Sequence, residues 1–324
     1  MIRTIASVIR GEGLMSAFRR AGERISEAVG PKFDAEADIV NVVPGGLSPR
    51  NGGVAVQLAA RLREERKLRS VAVRQDFAGA KAIHLEGTFG APVDALIASR
   101  IPFVVSLHDT TLIDRRLLDA AKGIIVPSSF LREFYAVDAE VIEPGVPAAE
   151  QRVYVHDERR AVAYAGSVKR HKGAHLLPEI ARVVDELYVF GGGDLDLLQE
   201  LRKLPNVVIY GYYRSGELPA LLARHRVGLV LLPSIVPESY SLTLSEAWIA
   251  GAAVAAFDHG APAERIRRDG GGWLAPPESG AAGLIAIVER WMSERPAPPA
   301  PRRAMSPAEA ARAHVELYRK WGLL

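Results

Sequence analysis

Pro237-Glu238-Ser239-Tyr240-Ser241-Leu242-Thr243-Leu244-Ser245-Glu246-Ala247 sets two carboxylates eight positions apart, across the join between a strand-end loop and a helix. Immediately upstream, the apolar run 227–232 suits a strand buried on both faces, and Pro233 stops it. A helix starting near Ser241 or Thr243 turns the free N–H groups of its first turn and its positive end toward the loop, where a phosphate binds. Glu238 then sits at the mouth and Glu246 two turns inside. Two acceptor-only side chains at different depths suit two vicinal hydroxyl pairs, one on a sugar and one on a ribose. The spacing also fits a capping box, in which Thr243 opens the helix and Glu246 closes a backbone N–H.

Working outward, 324 residues exceed the size at which a single core usually stops growing, so two domains are expected. With 48% hydrophobic and 24% charged residues, the composition is that of a globular protein with apolar material for two cores. The absence of cysteine excludes a disulfide framework, a thiolate metal site and a thiol nucleophile, and agrees with a reducing compartment. A cytoplasmic protein is expected. The longest uncharged apolar run, 247–257, is too short to span a bilayer, and no secretory leader is read at the start. A net charge of +3 does not mark a nucleic-acid footprint. The basic excess is local: residues 1–32 carry six basic and three acidic side chains, with Leu14, Phe18, Ile25 and Val29 at roughly helical spacing. Such a basic amphipathic helix either packs on its own domain or rests peripherally on an anionic membrane at its inner face.

Strand and helix patterns alternate along the chain. In the first half, residues 39–43, 82–85, 103–107 and 123–126 read as strands. Helical patterns over 54–66, 92–99, 115–121 and 128–135 separate them, the last opening with a Ser cap. This alternation predicts a parallel sheet covered on both faces, with ligands outside the carboxyl ends of its strands. Standing at those ends are Pro44-Gly45-Gly46, His84-Leu85-Glu86-Gly87, His108-Asp109 and Pro127-Ser128-Ser129. After the turn-rich stretch Glu143-Pro144-Gly145-Val146-Pro147 the pattern restarts: a strand at 161–164, the loop Gly166 to Gly173, a helix over 176–184, then strands at 187–190, 207–210 and 227–232. The Pro-rich run 296–301 is a semi-rigid spacer, and Ser306-Pro307-Ala308-Glu309 is a helix start with cap, N1 proline and capping-box glutamate. A helix reached through a spacer would return to the first domain. The domains expected are 1–147, joined by a helix over 306–324, and 148–305.

Here the chain resembles the GT-B glycosyltransferases of the retaining group classed as family 4, from about residue 40 to 274 and most densely in the second half. Glu238 and Glu246 match that family's E-x7-E motif, and Glu246-Ala247-Trp248-Ile249-Ala250-Gly251-Ala252-Ala253-Val254 matches its E-A-x-x-x-G-x-P-V continuation. Glu264-Arg265-Ile266, residues 270–274 and Pro276-Pro277 match the stretch that ends the motif region. The resemblance implies two Rossmann-like α/β domains facing a cleft. A nucleotide-diphosphate sugar would be held mainly by the second, and an acceptor, whether glycan, lipid or small molecule, mainly by the first. Sugar transfer would proceed with retention and without metal or other cofactor. It also implies roles. Glu246 would hold the ribose and Glu238 the donor sugar. Ser239, Tyr240, Ser241 and Leu242 would offer amides to the diphosphate, and Lys172 would neutralise the leaving group. His108 would stand beside the transferred sugar, and Gly52 and Gly53 would let their loop approach the phosphates.

Three positions depart from the family pattern: Ser167 where arginine is common, Ser241 where glycine is common, and Ala253 in place of proline. Lys169 or Arg170 would have to supply the missing phosphate cation, although a nearby charge does not reproduce the arginine fork. Ser167 keeps open a reading as a donor-binding subunit that transfers nothing, beside the same-fold alternatives of epimerase and phosphorylase. Gly191-Gly192-Gly193 invites a dinucleotide fingerprint, but Leu197 stands where its third glycine belongs.

Overall fold

The short aliphatic and β-branched runs separated by helical patterns become strands of two parallel sheets. The computed structural model describes residues 39–42, 80–88, 90–147, 161–214, 216–294, 296 and 304–324. The described residues form two units, one from residues between 31 and 146 with 305–324, the other from residues between 147 and 304. Outside the described residues lie the basic segment 1–32, Gly45-Gly46, Gly52 and Gly53, the helix read over 54–66 and most of the Pro-rich run 296–301.

In the first unit β1 (Ile39–Val42), β2 (Ala82–Glu86), β3 (Phe103–Ser106), β4 (Ile124–Val126) and β5 (Glu140–Val141) pair in that order, all parallel. The described helices between them are α1 (Val93–Ser99), α2 (Arg115–Ala120) and α3 (Ser129–Tyr135). The Ser cap read at 128 is realised: Ser128 Oγ accepts from the Leu131 amide at 3.2 Å. Period-two alternation divides the sheet faces. Ile83 and Leu85 pack with Leu96, Phe103, Leu117 and Leu131 on one side. Ala82 and Val104 pack on the other with Ala311, Val315 and Tyr318 of the last helix of the chain, Pro307–Lys320. That helix opens with the capping box read in the sequence, Ser306 Oγ accepting from Glu309 N at 3.2 Å and Glu309 Oε2 from Ser306 N at 2.8 Å.

The alternation puts His84 and Glu86 on the face this helix covers, where both are buried. His84 is satisfied on both nitrogens, by Tyr318 Oη at 2.6 Å and Ser106 Oγ at 2.7 Å. Tyr318→Phe keeps the ring and strips the hydroxyl, leaving a buried imidazole nitrogen short of its partner. The expected result is a loss of about 1–3 kcal/mol in denaturant unfolding of this unit. Unchanged stability would show that the contact contributes nothing net.

The second unit is a six-stranded parallel sheet. Its strands are β6 (Ala161–Ala165), β7 (Leu187–Phe190), β8 (Val207–Gly211), β9 (Val227–Leu232), β10 (Ala253–Phe257) and β11 (Gly272–Ala275), in the order β11-β10-β9-β6-β7-β8. Both faces are dry: Val162, Tyr164, Leu229, Leu231 and Phe257 belong to one cluster, and Ala163, Val230, Leu232 and Val254 to the other. Helices α4 (Leu177–Ile180), α5 (Leu195–Leu201), α6 (Leu218–Arg224), α7 (Leu242–Ile249) and α8 (Gly260–Asp269) connect the strands, α9 (Gly280–Glu294) follows β11, and Pro307–Lys320 is α10. Among the described residues no helix is long and apolar enough to cross a membrane.

One expectation changes. The helix read over 176–184 is α4 flanked by 3-10 turns at Ala174–Leu176 and Ala181–Val183. Pro178 has no N–H to bond back to Ala174, so the tighter turn takes over before it. The apolar run 247–257 divides at Gly251 (φ 65°) into the end of α7 and strand β10.

Candidate functional site

The chain winds from β6 through β7 to β8, then returns past its start to place β9 on the other side of β6. Strand order therefore reverses between β6 and β9, and a parallel sheet opens a crevice at the carboxyl ends of such a pair. A cavity of about 220 Å³ lies there, walled by Tyr164 at the end of β6, by Gly166, Ser167 and Lys172 from beyond it, and by Pro233, Glu238, Ser241 and Thr243 from beyond β9.

Local chemistry shapes each wall. Tyr164 is buried in β6 and its hydroxyl donates to the Ser167 carbonyl at 2.5 Å, pinning the loop after the strand. The chain then forms a single 3-10 turn, Arg170–Lys172, and ends it at Gly173 with φ 74°. A Cβ on Gly173 would come within 1.8 Å of the Pro233 carbonyl oxygen, so only glycine lets the two walls close to this distance. The turn delivers Lys172 Nζ to Glu238 Oε1 at 2.9 Å, with the side chains 32% and 16% exposed. On the far wall Ile235 N donates to the His171 carbonyl at 3.1 Å and a ring nitrogen of His259 donates to the Ser234 carbonyl at 2.7 Å. Among the residues walling the cavity Lys172 is the cation and Glu238 the carboxylate.

Helix α7 begins at the cavity. Ser241 precedes it with φ 70° and ψ 92°, in the left-handed half of backbone space, which makes plain why glycine suits this position. Glu246 does not cap the helix. It is the fifth helical residue rather than the third, and its Oε1 accepts instead from the Gly216 amide, ahead of α6, at 3.3 Å. Glu246 is only 6% exposed, and burial outweighs that hydrogen bond and pushes its carboxyl up to about 7. Tyr213 beside it is pushed up as well, first by its own burial and then by the Glu246 charge.

Several residues read from the sequence stand elsewhere. Tyr240 is buried, and Leu242 opens α7. Ser239 is half-buried in the loop. Lys169 and Arg170 are exposed and do not wall the cavity, and Arg170 Nη2 lies 3.9 Å from Asp196. Three residues make one turn of this helix type, so the turn that aims Lys172 inward aims Arg170 away. The glycine run 191–193 has a packing purpose: a Cβ on Gly191 would meet the Gly166 oxygen at 1.8 Å, and one on Gly193 the Val168 oxygen at 2.1 Å.

In the first unit His108 follows β3, and its Nε2 donates to Glu86 Oε2 at 2.6 Å. Burial by itself would raise the Glu86 carboxyl. Attraction to His84 and the hydrogen bond from His108 outweigh burial and hold it down at about 2. The His84 and His314 imidazoles are both lowered by burial, His314 to about 4. The cluster at neutral pH is therefore an ionised Glu86 among neutral buried rings, with His108 the member that reaches the surface. The dyad partner Glu86 went unassigned in the sequence, although His84 and Glu86, alternating with apolar residues in a strand, marked a polar stripe. Arg265 was read only as part of the stretch that ends the motif region, without a role, and Tyr164 was missed because a single tyrosine in an apolar strand carries no signal of its own. Among the described residues no cluster of His, Asp or Glu has the arrangement of a metal site.

Two parallel-sheet α/β units, one with a cavity at its topological switch point, are the architecture of GT-B glycosyltransferases. Residues 159–294 match the family model described as glycosyl transferases group 1, so the second unit carries a domain of that group and the protein is a glycosyltransferase. No curated protein matches the chain. Among solved structures, a glycosyltransferase from Rickettsia africae is similar at TM-score 0.67 and 14% identity, covering 89% of this chain and 99% of that one. Anabaena HepE in complex with UDP is similar at TM-score 0.62 and 16% identity, covering 86% and 94%. The sucrose-phosphate synthase of Thermosynechococcus elongatus is similar at 0.62 and 16%, covering 88% and 96%.

Proposed function

We propose that the protein transfers a sugar from a nucleotide-diphosphate sugar to an acceptor hydroxyl, with retention at the anomeric carbon and without a metal. The observation that carries this reading is the cavity at the β6/β9 switch point, walled by Lys172 and Glu238 and facing the start of α7. Breaking the sugar–phosphate bond builds negative charge on the leaving diphosphate. A fixed ammonium and the free amides of a helix start stabilise such charge without reorganising. Lys172 would pass from Glu238 to the diphosphate as the donor enters, and Glu238 would turn its oxygens to the sugar hydroxyls. Glu246, deeper in α7, would accept from the ribose, and His108, held by Glu86, would stand beside the transferred sugar. Retention follows the resemblance of Glu238 and Glu246 to the E-x7-E pair. The Anabaena HepE complexes with UDP and with UDP-glucose make uridine the first base to try.

The test is a thermal-shift and calorimetric panel of nucleoside diphosphates and their sugars. One base family should raise the melting temperature by mass action. No shift with any of them would remove the donor reading. Ser167 favours a second reading, because it walls the cavity where the resembling family has arginine and no other cation does so besides Lys172. In a donor-binding subunit the nucleotide sugar would bind and neither transfer nor hydrolysis would follow. Released nucleotide from the bound donor decides between the two.

A further inference from the structure

We infer that Arg265 is a positioning residue for the diphosphate, setting the direction of the backbone amides that meet it. The inference rests on the donor reading above. Arg265 lies in α8 and is 3% exposed. Its Nη1 donates to the carbonyls of two consecutive residues, Tyr240 at 3.2 Å and Ser241 at 3.1 Å, and its Nη2 donates to Ser245 Oγ at 2.7 Å. Its Cζ stands 3.9 Å from the centroid of the Tyr240 ring and 5.2 Å from that of Trp248. Ser245 Oγ in turn donates to Tyr240 Oη at 3.3 Å. One guanidinium thus holds both ends of the turn into α7.

The consequence follows from peptide planarity. In a trans peptide the N–H points opposite to the carbonyl of the residue before it. With the Tyr240 and Ser241 carbonyls drawn onto Arg265, the N–H groups of Ser241 and Leu242 point away from it. Ser241 walls the cavity, and α7 starts with amides that have no intrahelical acceptor. The backbone that does this passes through φ 70° at Ser241, a conformation that strains a non-glycine residue and persists only when its surroundings impose it. A planar fork with donors in fixed directions can bind two successive carbonyls at once; an ammonium cannot fix both directions. The usual glycine at position 241 would reach the same conformation without strain, so this chain, with Ser241, depends on Arg265 more than a glycine-bearing relative does.

The readout is the ratio of UDP to uridine affinity by calorimetry, with the matching pair if the panel selects another base. Arg265→Lys is expected to lower UDP affinity tenfold or more while uridine binding changes less than twofold. A merely structural loss would weaken both ligands together. If Arg265→Lys does not reach a native circular-dichroism spectrum, Ser245→Ala removes one acceptor of the fork and carries the decision, with a loss of at least threefold confined to UDP. An unchanged ratio in the folded variant overturns the inference. Hydrogen exchange over residues 239–243 of the unliganded protein gives a second answer that needs no ligand. It should speed up in either variant, and unchanged protection would overturn the assignment even if the wild type bound no nucleotide.

Discussion

Lys172→Ala is expected to lower nucleoside diphosphate affinity and donor turnover by about 10²–10³-fold each, the range seen when one fixed donor is removed from a charged transition state. Among the residues walling the cavity no second cation shares the load: Ser167 carries no charge, and Arg170 faces Asp196. The loss is compounded because Glu238, 2.9 Å from Nζ and largely buried, would then face the incoming phosphates with its partner gone. The companion variant separates the two roles. Glu238→Gln frees Lys172 from a competing carboxylate, so UDP alone should bind several-fold more tightly. Transfer should still fall by about a hundredfold as the sugar loses its ionised acceptor. Calorimetry with UDP and turnover of the sugar donor measure the two quantities. If both variants lost UDP affinity alike, the ion pair would be a structural strut and the proposed exchange of partners wrong.

The second large effect is in pH. Glu246 is raised from 4.5 in the unfolded chain to about 7 in the folded one. Below 4.5 both states carry the proton, and stability is undiminished. As pH rises from 4.5 to 7 the unfolded chain loses the proton and the folded one keeps it, so folding loses about 1.4 kcal/mol per unit and about 3 kcal/mol in all, constant above that. Glu246→Gln imitates the protonated form and keeps the Gly216 amide bonded. The unliganded variant should therefore be more stable than wild type at pH 8 by about that amount and match it at pH 4.

Ligand binding should respond in the opposite sense. A ribose that donates two hydrogen bonds favours the ionised carboxylate. Affinity for uridine, which carries no titrating phosphate, should rise about tenfold between pH 6 and 8 and release a proton on binding. In Glu246→Gln that pH dependence should vanish along with much of the affinity. A flat profile in the wild type would separate Glu246 from the ribose. Denaturant melts at the two pH values, and calorimetry in buffers of different ionisation enthalpy, measure both halves.

The parallel sheets were legible because most of their strands are short apolar runs bounded by Gly, Pro and caps. The helix starts at Ser128 and Ser306 were legible because caps are local chemistry: one side chain meeting an amide three residues on. The broken helix at 176–184 shows where that legibility fails. Pro178 removes a single hydrogen bond, and which turn type fills the gap depends on what the segment packs against.

The glutamate pair was visible as spacing, but spacing could not choose between a capping box and a ligand. Setting the cap aside needed Gly216, thirty residues away in the chain, to arrive beside Glu246. Lys172 and Glu238 are sixty-six residues apart and meet only because the chain doubles back to lay β9 beside β6. Glu86 and His108 meet because β2 and β3 are neighbours, and α10 buries the rest of their cluster from the other end of the chain.

By itself, then, the sequence determined the α/β class, the order of most strands and helices and a set of candidate site residues, since each depends on interactions within a few residues. The tertiary structure alone decided which candidates meet, which carboxylate is ionised and which cation walls the cavity. Those depend on burial and on through-space distances between residues that are remote in the chain.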